Sequence, residues 1–328
     1  MKKIALIISG FLFFGLISSF LFFQIFPIRT SVSVDDFKIS AGMSFNEIAD
    51  KLRSENLIAS KTVFKIYGAI TGKTRQLKPG KYSLSSNFPV SKLFRILTKG
   101  PEEISVVIAP GLTIKEIDEK LSEARIIKPG EIINFDINVF QRDYYYLTEA
   151  HSLEGFLFPD TYRFFPDSGV DLVIHKFLDN FKTKVLPLFK NNDKILDKLI
   201  LASILEKEIP DYEEKKVAAG ILLKRLKVGM PLQVDASVVY AKCSGRFLSC
   251  PRLTEADYKI NSVYNTYLYP GLPESPISNP DLESIKAVLN SEKTRYWYYL
   301  SDPKTKKTIF SETLNEHNKN RAAYLLNR

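Results

Sequence analysis

The sequence predicts an α+β (mixed) protein behind a single N-terminal apolar segment. Three observations carry that expectation. The run from Ile4 to Phe23 holds no charged residue. A strand–turn–helix signature occurs twice, at 37–52 and again at 107–121. The stretch Ile195–Pro210 has helical length, is apolar on every side, and yet closes on Glu206 and Glu208.

Composition limits the function classes. A chain of 328 residues has room for two or more domains. Its hydrophobic and charged fractions, 45% and 25%, are those of a globular protein. The net charge of +9 is spread over 46 basic and 37 acidic residues, and the densest basic cluster, Lys304-Thr-Lys-Lys307, falls in a turn. A diffuse excess without a nucleic-acid motif reads as a solvated surface, so no nucleic-acid partner is expected. Attraction to an anionic membrane or polymer fits the same charge. Cys243 and Cys250 are too far apart for C-x-x-C, and either a local disulfide or two free thiols suits them. His151, His175 and His317 form no metal-ligand pattern, so neither a metal nor a cofactor is expected.

Taken in order, Lys2-Lys3 precedes the apolar run, and about 20 such residues span a bilayer core. The two lysines favour a cytoplasmic N-terminus, which sends the rest of the chain across the membrane. A cleaved signal peptide would end in small residues, whereas Phe22, Phe23, Ile25 and Phe26 occupy this exit. A retained anchor over residues 1–30 is therefore expected, with the protein on the extracytoplasmic side of the plasma membrane.

Next come the repeats. Phe37-Lys-Ile leads through Gly42 into Ser44-x-x-Glu47, and Val107-Ile-Ala leads through Gly111 into Thr113-x-x-Glu116. Each is a short strand, a glycine turn and a helix opened by a capping box. Met43 with Ile48, and Leu112 with Ile117, suit the hydrophobic staple of such a start. Gly42-Met-Ser-Phe-Asn-Glu-Ile-Ala also resembles the opening of a lysin motif, a module that binds N-acetylglucosamine polymers. The plainer alternative, above all for the second copy, is a packing unit. Residues 31–103 are thus expected as a lysin-motif-like subdomain and 104–150 as a second, linking subdomain, the latter with a helical run over 135–147.

From His151 the character changes. Glu154-Gly-Phe-Leu-Phe-Pro-Asp-Thr-Tyr162 is dense in glycine, proline and aromatics. Helices are expected over 170–189, 195–210, 212–228 and 281–289, the third closing at Gly229. Between them lie polar-aromatic loops holding Gln233, Asp235, Tyr264, Asn265 and Tyr267. A hairpin is expected around Ser301-Asp-Pro-Lys-Thr, then a final helix.

Glu206 stands out because its helix has no wide polar face. Burial disfavours an ionised carboxylate and raises its pKa, and a carboxyl protonated near neutrality can act as a general acid. Glu208 cannot share that role from the same face, because two residues along a helix is a rotation of roughly 200°. The plainer reading is that Glu206 pairs with a nearby lysine.

Six motifs occur together in order: Glu154-Gly-Phe-Leu-Phe-Pro-Asp-Thr-Tyr162, Leu201-Ala-Ser-Ile-Leu-Glu206-Lys-Glu208, Leu232-Gln-Val-Asp235, Tyr264-Asn-Thr-Tyr267, Gly271-Leu-Pro and Ser278-Asn-Pro280. This set resembles the MltG (YceG) family of endolytic murein transglycosylases, from about Phe37 to the C-terminus. Two departures stand out: Ala236-Ser237 replaces the usual Pro-Thr, and Glu274-Ser275 the usual Pro-Gly. The resemblance implies a mixed α/β catalytic domain over 151–328 with Glu206 as its catalytic acid. It implies cleavage of the MurNAc–GlcNAc β-1,4 bond in nascent peptidoglycan, with 1,6-anhydro ends and no cofactor. Glycan strands are then the partner, with peptidoglycan synthases beside them at the membrane.

Gln233 and Asp235 are candidates for binding sugar, though Asp235 suits a helix cap equally well. Glu154, Tyr264, Asn265 and Tyr267 are candidate groove residues, each with a structural alternative. A non-catalytic peptidoglycan-binding scaffold and a water-using muramidase are the rival functions. A serine acyl-transfer enzyme is disfavoured, since Ser203 is followed three residues on by Glu206 and not by lysine.

Overall fold

The computed structural model describes residues 32–190 and 194–326, so the expected anchor Ile4–Phe23 lies outside the described residues. Among those residues no helix is long and apolar enough to cross a membrane. The chain divides into two compact units after Glu103.

The first unit runs β1 (Ser33–Ile39), α1 (Phe45–Ser54), α2 (Lys61–Thr71), β2 (Gly80–Ser85) and α3 (Val90–Lys99). β1 and β2 pair antiparallel with Phe37 opposite Tyr82. The capping box forms as expected: Glu47 N–H donates to Ser44 Oγ, and Ser44 N–H donates to the Glu47 carboxylate. Phe37, Ile48, Leu52, Phe64, Leu93 and Phe94 fill the core. Phe64 and Phe94 stack with ring centroids 4.5 Å apart.

The second unit starts with β3 (Ile104–Ile108) and α4 (Ile114–Glu123). After a long irregular stretch come β4 (Asp160–Phe164), α5 (Val170–Lys184), α6 (Ile195–Glu208), α7 (Tyr212–Lys227), α8 (Asp235–Lys242) and α9 (Leu282–Leu289). The hairpin β5 (Tyr298–Ser301) and β6 (Thr308–Ser311) precedes α10 (Leu314–Arg321). Among the described residues the three sheets are each two-stranded and antiparallel.

Three expectations need correction. Residues 104–150 are not a subdomain of their own, because β3 pairs along its whole length with β4, from Ile104 opposite Phe164 to Ile108 opposite Asp160. Their apolar side chains join one core with those of α5 and α6. The run 135–147 forms only 3₁₀ turns, at Ile137–Val139 and Tyr145–Leu147. Tyr144 donates to Asp179 and Tyr146 to the Leu178 carbonyl, so both point at α5. An α-helix would send residues two apart to opposite sides. The helix begun at Val170 stops at Lys184, before Pro187, which lacks the N–H an α-helix interior requires.

α6 is the centre of this unit. Leu199 to Leu205 are all buried, and α9 packs on both α6 and α7. At Gly220 on α7 a Cβ would lie 1.9 Å from the Glu292 carbonyl oxygen, so only glycine permits that close approach.

Candidate active site

Three buried or nearly buried carboxyls gather around α6, and each meets a different helix N-terminus. Glu206 and Glu208 are turned to separate neighbours, as helical geometry requires. Glu206 Oε2 accepts the Asp281 N–H at 3.1 Å and the Ser284 hydroxyl at 2.6 Å, both at the start of α9. Asp281 caps α9 through Ser284 N–H, so Glu206 supplies from another helix the return bond of a capping box. Lys215 Nζ of α7 lies 3.9 Å from the same oxygen. Among the described residues no hydrogen bond is made to Glu206 Oε1. The side chain is 10% exposed. Burial raises its pKa above the usual carboxylate value, against the Ser284 hydrogen bond and the Lys215 charge.

Glu208 Oε1 accepts Ala236 N–H at 3.1 Å, in the first turn of α8. Burial, with the Asp235 charge adding to it, pushes its carboxyl up to about 7.

Glu154 is 1% exposed and fully engaged. It accepts Ile114 N–H at the start of α4, Asn279 Nδ2 at 2.9 Å and the Tyr240 hydroxyl at 3.1 Å. Burial pushes its carboxyl up to about 8, although the Ile114 and Tyr240 hydrogen bonds favour the charged form. Asn279 is the hub of this region. Its Oδ1 accepts from Gly155 and Leu157, while its Nδ2 also donates to the Leu112 carbonyl.

That hub pins the second glycine turn beside Glu206. Gly111 N–H donates to the Asn279 carbonyl, and Lys207 Nζ donates to the Gly111 carbonyl at 3.2 Å. Gly111 has φ +77°, and a Cβ there would sit 3.5 Å from Glu206 Cγ. Lys207 also lies 3.8 Å from the Phe247 ring centroid. Phe247 belongs to the loop closed by the Cys243–Cys250 disulfide. Glu116 holds that loop by accepting Phe247 and Leu248 N–H, 2.9 and 3.0 Å away.

The remaining candidates lie around the start of α8 and in the loop that follows it. Asp235 sits in the first turn of α8 without capping it; its Oδ1 accepts the Tyr267 hydroxyl at 2.6 Å and that of Tyr258 at 3.2 Å. Gln233 is exposed with φ +53°, a conformation uncommon outside glycine. Asn265 is buried and spends its amide on the Tyr258 and Ile260 carbonyls and on Tyr267 N–H. Tyr264 bonds Ser275 through its hydroxyl and packs on Tyr240. The structure therefore joins Asp235 to Tyr267, and Glu154 to Tyr264 through Tyr240. The residues hydrogen-bonded to Glu206 are Asp281 and Ser284, not Gln233 or Asp235.

Sequence reasoning missed Lys215, Asp281 and Ser284. Their signal was present, since they sit in the helix after Glu206 and just past Ser278-Asn-Pro280, but nothing in the spacing ties them to one carboxyl. Among the described residues no group of three or more His, Cys, Asp or Glu is placed to hold a metal.

The YceG-like family model matches residues 37–323. The chain is 28% identical over 320 residues to the endolytic murein transglycosylase of Bacillus subtilis (strain 168), covering 90% of this chain and 86% of that protein. It is 24% identical over 318 residues to the protein of the same name from Streptococcus pneumoniae serotype 2 (strain D39), covering 88% of this chain and 58% of that longer protein. A crystal structure of a yceG-like protein from Listeria monocytogenes superposes with TM-score 0.59 at 29% identity, over 89% of this chain and 99% of that one. A match over so much of the chain places this protein in the YceG-like family.

Proposed function

We propose that the protein is a membrane-anchored endolytic lytic transglycosylase that cuts the MurNAc–GlcNAc β-1,4 bond inside peptidoglycan strands. One observation carries the reading: Glu206 is a nearly buried carboxyl with one oxygen held by donors and the other, among the described residues, free of hydrogen bonds. The names of the Bacillus and Streptococcus relatives support the reaction class.

In this mechanism protonated Glu206 donates to the glycosidic oxygen as its bond to C1 breaks. The carboxylate so formed accepts the proton of the muramic C6 hydroxyl while O6 bonds to C1, giving a 1,6-anhydro end. O6 takes the place of water as the nucleophile, so no water is consumed, and the acid regains its proton within the turnover. A single dominant carboxyl suffices, unlike the flanking pair of most glycosidases.

Gln233, Asp235 and Tyr267 form the second contact region for sugar, with Tyr258 beside them. A polar side chain at an uncommon backbone conformation next to a carboxylate ringed by tyrosines suits hydroxyl recognition and ring stacking. The order β1-α1-α2-β2 in the first unit fits a lysin-motif-like glycan-holding role. The apolar run Ile4–Phe23 would hold the enzyme where strands emerge, beside synthases, and so let it end glycan elongation.

A second reading rests on Glu208, whose carboxyl is pushed up to about 7 with Asp235 nearby, an arrangement that suits a water-using muramidase. The test is mass analysis of the ends released from purified uncrosslinked glycan strands. Anhydro ends support the transglycosylase, reducing ends the muramidase, and intact strands a non-catalytic scaffold.

A further inference from the structure

We propose that Ser284 and Lys215 are positioning residues that engage Glu206 Oε2 and thereby leave the transferable proton on Oε1. The inference rests on the reading of Glu206 as the acid, and adds which oxygen acts and what fixes it.

The geometry makes the two oxygens unequal. Oε2 takes a short bond from the Ser284 hydroxyl at 2.6 Å, a second from Asp281 N–H at 3.1 Å, and faces the Lys215 ammonium at 3.9 Å. An oxygen already accepting two donors beside a cation is the poorer place for a proton. Oε1 has no such partner among the described residues, so it carries the proton in the acid form. When that proton leaves for the glycosidic oxygen, the new charge is met at Oε2 by donors already in place. Oε1 is then open to receive the proton of the C6 hydroxyl, and the cycle closes on the same atom.

Lys215 has little structural reason to be where it is. It is only 3% exposed, its ammonium makes no hydrogen bond among the described residues, and Glu206 lies at the limit of ion-pair distance. Holding a nearly buried lysine side chain against a single carboxylate at that distance is a poor source of stability. A charge that steadies the carboxylate during turnover accounts for it. The other charged groups near Glu206 are Asp281 at the start of α9, which opposes ionisation, and Lys207 on its own helix. Burial raises the Glu206 carboxyl, and the Ser284 bond and Lys215 charge hold that rise in check.

The test compares the pH dependence of kcat/KM on uncrosslinked glycan strands for wild type, Lys215→Met and Ser284→Ala. Removing the ammonium should move the alkaline limb up by about one pH unit. Ser284→Ala should lower kcat about tenfold and move the limb the same way by at least as much, since its hydrogen bond lowers the carboxyl more than the Lys215 charge does. KM should stay within about twofold in both. A ¹³C titration of the Glu206 carboxyl, assigned by its loss in Glu206→Gln, reads the same upward shift without turnover. Folded variants with an unmoved limb and an unmoved carboxyl titration overturn the proposal, as does Ser284→Ala at full kcat. If instead Glu206→Gln retains activity, the acid assignment falls, while the titration still decides whether Ser284 and Lys215 govern that carboxyl.

Discussion

The two strand–turn–helix copies have the same local chemistry and different surroundings. In both, a glycine with positive φ leads into a capping box, at Ser44–Glu47 and at Thr113–Glu116. Around Gly42 nothing lies within 4 Å of a would-be Cβ, and Glu47 is exposed to solvent. Around Gly111 stand Glu206 and Lys207, and Glu116 is 5% exposed. The second oxygen of Glu116 ties down the disulfide loop, and Glu154 adds a further acceptor at the start of α4. A motif that only starts a helix in the first unit has become a wall of the candidate site in the second.

Four measurements bear on that contrast. The largest effect is expected from Glu116→Ala, which removes the acceptor for Thr113, Phe247 and Leu248 N–H at once. It should cost roughly 3 kcal/mol in urea unfolding, and Glu47→Ala only a small fraction of that. Equal losses at the two sites would mean the copies are equivalent after all.

Second comes pH. Burial pushes the folded Glu154 carboxyl up to about 8 from an ordinary 4.5. Below the lower value both folded and unfolded chains hold the proton. Between the two values only the folded chain does, so stability declines as pH rises through that window and is level above it. Glu208, pushed up to about 7, acts in the same direction. Glu154→Gln should make that fall shallower in melting curves. A melting temperature that rises over the same window would contradict the burial argument.

Third, reducing Cys243–Cys250 opens a loop of sequence separation 7 and should cost about 2.5 kcal/mol in the second unit alone. Unchanged melting after verified reduction would show that Glu116 alone secures the loop. The smallest stability effect is at the glycines: Gly42→Ala and Gly111→Ala should each cost about 1 kcal/mol through backbone strain. Their activities should part, with Gly111→Ala losing about tenfold in turnover because the glycine turn flanks Glu206. Equal activities would remove the Gly111 turn from the site.

Much of this was legible because the signals are local. Both capping boxes, the buried α6, the Gly229 helix end and the hairpin follow from spacing and turn residues a few positions apart. The opposite turning of Glu206 and Glu208 follows from helical rotation alone. The partners of Glu206 were hidden because Lys215 and Ser284 reach it from two other helices, and no periodicity encodes which helix faces which. The tyrosines at 144 and 146 misled for the same reason, since their aromatic run resembles a helix until α5 claims both hydroxyls. Asp235 read equally well as a cap, and only the loop that returns Tyr258 and Tyr267 decides its partners.

The sharpest test sets the three α6-centred carboxyls side by side: turnover of uncrosslinked glycan strands by Glu206→Gln, Glu208→Gln and Glu154→Gln, each with its melting temperature. Glu206→Gln is expected to stay folded and form no anhydro ends, while Glu208→Gln and Glu154→Gln retain anhydro-forming activity in proportion to their folded fraction. A folded Glu206→Gln that still releases anhydro ends, or a folded Glu208→Gln that releases none, would contradict that expectation.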